Sequence, residues 1–150
     1  MQAKLFTVIF VVLAVAEIQS ALAVRYQAYT DDSSFLTAQN KCIKKGGRLA
    51  GIDTQAQQNQ VEKLLIATGL SNAGWWLGGT DFGMARSFFW VGRNYEVGSV
   101  NGYTNFANGE PSSPNTEHCL MIIHNPSNPK YKWFDFHCSH TTYYICEFDF

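Results

Sequence analysis

Apolar positions change their spacing twice along this chain. They run almost continuously over residues 5–16, recur at helical intervals over residues 35–68, and beyond Gly74 gather into short runs cut by Gly, Asn, Ser and Pro. In "DDSSFLTAQNKCIKKGG", Phe35, Ala38 and Cys42 stand at i, i+3 and i+7. Asp32, Ser33 or Ser34 offers an N-cap and Gly46-Gly47 a stop, which predicts an amphipathic helix with Cys42 on its buried face. A short strand is predicted over residues 48–52. Thr54 followed three residues later by Gln57 then fits a capping box, so a second helix is predicted over residues 55–68, burying Val61, Leu64 and Leu65 and ending at Gly69.

The later runs "WWLGG", "SFFWV", "HCLMII", "YKWFDF" and "TTYYICEF" have the length and the aromatic content of strands. Two helices ahead of a mostly antiparallel sheet is an α+β arrangement. Residues 94–115 contain few aliphatics and read as one long loop system, and loops of that length in a compact domain are usually functional. A chain of 150 residues suits one domain, since domains average roughly 100–200 residues.

The first apolar run has a different meaning. Lys4 precedes it and Ala21-Leu22-Ala23 follows as a small-x-small site, so residues 1–23 read as a secretory signal peptide and 24–150 as the mature domain. A run of about 12 apolar residues is shorter than the roughly 20 that span a bilayer, which argues against membrane insertion. Export to an oxidising compartment predicts that Cys42, Cys119, Cys138 and Cys146 form two disulfides, with three connectivities open.

A formal net charge of -1, with no basic run longer than Lys44-Lys45, gives no footprint for nucleic acid. The acidic residues are more informative. Glu110 and Glu117 lie in "GEPSSPNTEHC", and Asp135 lies across the hairpin expected between Cys119 and Cys138. A bridge between those two cysteines would bring the three carboxylates together. Like charges so close raise one another's pKa unless a cation lies among them, and Ca2+ takes six to eight oxygen ligands of this kind. His118, His124, His137 and His140 raise zinc as an alternative, but the His137-x-x-His140 pair encloses a cysteine expected to be oxidised, so they read as ordinary strand and surface histidines. Glycosidase chemistry needs two carboxyls of separated pKa, which calcium ligation would deny, and no enzyme activity is expected.

"WWLGG", "FFWVG", "YTNFANGEP", "EHCLMI", "WFDFHC" and "YYICEF", preceded by "AQNKCIKKGGRLAGI", occur in an order that resembles the C-type lectin domain family over nearly the whole mature chain. The resemblance implies the C-type lectin-like fold, the disulfides Cys42–Cys146 and Cys119–Cys138, a cis peptide bond before Pro111, and core positions for Trp76, Trp90 and Trp133. It also implies one Ca2+ whose coordination is completed by the vicinal hydroxyls of a sugar. Glu110 matches the first ligand of the family's loop triplet, Glu117 its downstream Glu, and Asp135 the Asp of its Trp-Asn-Asp triplet.

Two positions depart from the family pattern. Ser112 stands where the loop triplet has Asn or Asp, and Phe134 where the second triplet has Asn. Ser112, Ser113 or Asn115 would then supply an oxygen, and the Phe134 ring is expected to cover the apolar face of a sugar. The chain also resembles short secreted insect lectins, which are often galactose-selective and act in innate immune recognition. The implied activity is therefore extracellular, calcium-dependent binding of cell-surface or microbial glycans, with galactose favoured over mannose and agglutination if several sites share one particle. The other reading is a lectin-like domain that has exchanged sugar for a protein partner.

Overall fold

The computed structural model describes residues 24–125 and 128–149; the expected signal peptide lies outside them. Alternation at Val24, Tyr26 and Ala28 begins the first strand, β1 (Val24–Ser33), followed by helix α1 (Phe35–Lys44), β2 (Arg48–Leu49), α2 (Gln55–Ala67), β3 (Gly74–Thr80), β4 (Phe89–Trp90) and β5 (Tyr95–Glu96). Then come β6 (Cys119–Asn125), β7 (Asn128–Phe136) and β8 (Thr142–Asp149). Strand β8 pairs antiparallel with β1 and β2 and parallel with β3; β3 pairs with β4 and β6, and β6 with β7. This is the C-type lectin-like α+β fold that the motifs imply.

Helix α1 buries Phe35, Ala38 and Cys42 as its spacing requires. Helix α2 is capped by Thr54, whose side chain accepts a 3.1 Å bond from the Gln57 amide, while the Gln57 side chain accepts from Asp53 rather than from Thr54 itself. Leu64 is only partly buried; Gln58 takes the inner position with Val61 and Leu65. The strand expected over residues 48–52 pairs only at Arg48 and Leu49, because the chain beyond turns inward to meet charged side chains. Disulfides Cys42–Cys146 and Cys119–Cys138 tie α1 to β8 and the start of β6 to the segment after β7.

The inward turn is organised around Arg93. Its guanidinium is ion-paired with Asp53 and Glu147, both buried, and donates to the Gly51 carbonyl at 3.0 Å. Arg48 adds a 2.6 Å bond to Glu147, Tyr95 donates to Asp53 at 2.7 Å, and the Trp90 indole donates to Asp53 at 3.1 Å. Burial by itself would lower the pKa of Arg93, but Glu147 holds it above its ordinary value. The network fastens the start of the long loop to β8.

Farther along, the same loop meets β7 at Trp133. The Trp133 amide donates to Asn105 at 3.0 Å, its carbonyl accepts from Ala107 at 2.9 Å, and its indole donates to Gln58 at 3.1 Å. Trp90, Tyr103 and Phe106 all meet its ring nearly edge-on, with centroids 5.6–5.8 Å away. Trp76, Trp90 and Trp133 are fully buried, as core tryptophans should be.

Replacing Arg93 with Met should cost about 3–5 kcal/mol of unfolding free energy, because it strands two buried carboxylates. Urea denaturation with disulfides intact measures this; a loss under about 1 kcal/mol would show that the network contributes little to stability.

Candidate functional site

Once Trp133 has fixed residues 105–107, the chain has three residues in which to turn back toward β7. Gly109, at φ +87°, makes that turn in a region where a side chain would be strained, and the Glu110 amide closes it with a 3.1 Å bond to Ala107. The Glu110–Pro111 bond is cis. Directly after it, the amides of Ser112 and Ser113 donate to the two oxygens of Asp135 at 2.9 and 3.0 Å, and the Ser112 hydroxyl lies 3.4 Å from the first of them. One buried carboxylate on β7 therefore clamps the loop, and Glu110 is brought against it.

Two acids in contact cannot both ionise cheaply. Burial, then a hydrogen bond to Asp135 and its charge, push the Glu110 carboxyl up to about 7. Burial by itself would raise Asp135 as well, but bonds from Glu110 and from the Ser112 and Ser113 amides hold it below its ordinary value. Below about pH 7 Glu110 keeps a proton that it shares with an ionised Asp135. Its Oε2 atom is buried and meets no protein donor, so a proton or a cation would satisfy it. Carboxylate and hydroxyl oxygens, with no thiolate and no free imidazole among them, fit Ca2+.

Glu117 stands to one side. It lies in a turn where both the Thr116 and Glu117 amides bond to the Ser113 carbonyl, and its side chain faces His137 at 3.8 Å. Among the described residues no three His, Cys, Asp or Glu side chains are grouped to hold an ion, so the expected meeting of three carboxylates is here a pair with a third nearby in sequence. Asn115 is exposed. Phe134 is half-buried in register with Met121, and because neighbours along a strand alternate faces, it diverges from Asp135.

The amide clamp on Asp135 had no signature in side-chain identity, since backbone donors are the same in every residue but proline. A second neighbour was also unforeseen: the buried Asp81 accepts from the Arg86 amide at 2.6 Å and lies 2.7 Å from the His118 ring, shaping residues 81–87 beside the site. Two charged residues that follow the "GGT" strand end, Asp81 and Arg86, were the available signal.

Residues 31–148 match the family model described as the Lectin C-type domain. Salivary C-type lectin 1 of Aedes albopictus is 30% identical over 120 residues, which cover 77% of this chain and 76% of that one. Human lithostathine superposes with a TM-score of 0.73 at 25% identity, covering 85% of this chain and 92% of that one. The C-type lectin domain of murine dendritic cell inhibitory receptor 2, solved in complex with N-glycan, superposes with a TM-score of 0.70 at 25% identity and the same two coverages.

Because Glu110 holds its proton in the fold and releases it more readily when unfolded, metal-free stability should fall as pH rises from 4.5 to about 7. The check is the difference in melting temperature between the parent chain and Glu110→Gln across that interval: the parent's slope should be steeper, and parallel slopes would contradict the shared proton.

Proposed function

Since this chain belongs to the C-type lectin domain family, we propose that it is an extracellular calcium-dependent glycan-binding protein and not an enzyme. The observation that carries this reading is the Glu110–Asp135 pair, with one buried oxygen lacking any donor. Glu110, Asp135 and the Ser112 hydroxyl would hold the ion, and Glu117 would join them by turning from the exposed His137. Bound Ca2+ supplies a coordination partner for vicinal sugar hydroxyls. The carboxylates accept hydrogen bonds from the same hydroxyls, so stereochemistry is read by the pair and the ion together.

Galactose remains the favoured sugar by resemblance to short insect lectins, with mannose as the competing ligand. Secretion is supported by the leader-like residues 1–23, and among the described residues no helix is long and apolar enough to cross a membrane. Recognition of microbial or cell-surface glycans in innate immunity is the physiological setting proposed. Ser112 and Phe134, both departures from the family's ligand set, support the second reading, in which a protein replaces the sugar.

The mature chain should be retained on galactose or mannose resin with calcium and released by EDTA. Asp135→Asn should abolish retention, whereas Phe134→Ala should leave it unchanged because the ring diverges from the carboxylates. No retention on either resin, with no calcium-dependent rise in melting temperature, would favour the protein-binding reading.

A further inference from the structure

Beside the carboxylate pair lies a loop with more design than a connection requires. Asp81, 1% exposed, accepts the Arg86 amide, its own amide bonds to the His118 carbonyl at 3.2 Å, and the Met84 and Ser87 amides close two successive turns. Arg86 is held at φ +68°, a left-handed conformation that costs a non-glycine residue energy. The loop thus has a fixed shape although its outward side chains touch little. Phe82 is 51% exposed with one ring face stacked on His118 at 5.3 Å, and Met84 is 66% exposed.

The loop is continuous with the proposed sugar site at two points. Arg86 donates to the Pro111 carbonyl at 3.3 Å, and His118 directly follows Glu117. Among the described residues Arg86 forms no ion pair, so most of its guanidinium donors are available. An exposed ring suits the C–H face of a pyranose, a methionine adapts to irregular apolar contact, and an unpaired guanidinium suits a carboxylate or sulfate.

We propose that Phe82, Met84 and Arg86 form a second contact zone that binds the sugar linked to the one at the Glu110–Asp135 site, and that it selects an acidic saccharide. The zone rests on the glycan-binding reading for its neighbour but has its own chemistry. Calcium is not needed for Arg86 to meet an anion or for Phe82 to stack. Its selectivity should weaken with salt, as an exposed charge contact does.

The probes are lactose and mannobiose, each with and without a sulfate on the reducing sugar, titrated into the mature chain with calcium at low ionic strength. The sulfated form of whichever disaccharide binds should bind about five-fold more tightly, the contribution of one exposed charge pair. Arg86→Gln should bring that ratio to one, and Arg86→Lys should retain part of it. Equal affinities in the parent chain, or an undiminished ratio in Arg86→Gln, would overturn the proposal. If neither plain disaccharide binds, the primary reading fails separately. The zone is then judged on immobilised sulfated lactose without calcium, where salt-sensitive retention lost in Arg86→Gln supports it and absence of retention overturns it.

Discussion

The site depends on one residue that does not belong to it. Trp133 uses its amide, its carbonyl and its indole to bind the long loop and α2, and three aromatic rings close around it. An indole in a tight aromatic cage has little freedom, and its two backbone bonds transmit that rigidity to residues 105 and 107. Glu110 follows three residues after that anchor and Asp135 two residues after Trp133, so both carboxylates inherit their positions from it. Without this stitch the entropy of a loop of some twenty residues would have to be overcome by the ligand.

Buried charge is handled in two contrasting ways. At the loop's start, Asp53 and Glu147 are balanced by Arg93, supported by Arg48, Tyr95 and Trp90, and the cluster is internally complete. At the loop's far side, Glu110 and Asp135 have amide donors for only one of the two acids. That deficit marks the second cluster as the candidate site: an arrangement unsatisfied by its own protein is open to a proton or a cation. Nearness of like charges, unfavourable for folding, becomes useful once an ion enters.

Much of this was legible in the chain. The helices followed from Phe35, Ala38 and Cys42 and from Thr54 with Gln57, and the disulfide partners followed from the family's motif order. Glu110 and Asp135 were named as candidate site residues by the same resemblance, and the fold brings the two together. Strand β1 was not anticipated, although Val24, Tyr26 and Ala28 alternate, because the adjoining leader dominates the hydropathy there. The ends of β2 are set by its pairing with the distant β8, which local propensity does not encode, and β5 is a two-residue partner of β4 inside the stretch that reads as loop. The separation of Glu117 from the pair arises from a turn at Ser113 and a contact with His137, neither of which spacing along the sequence reveals.

The central claim is that Glu110 and Asp135 exchange a shared proton for calcium. Calorimetric titration of Ca2+ into the mature chain near about pH 6, in two buffers of different ionisation enthalpy, measures both events together. The account predicts binding in the range of about 10⁻⁴–10⁻³ M, as for extracellular sites, with release of about one proton per ion that disappears in Glu110→Gln. Absence of binding, or binding with no proton released, would contradict it.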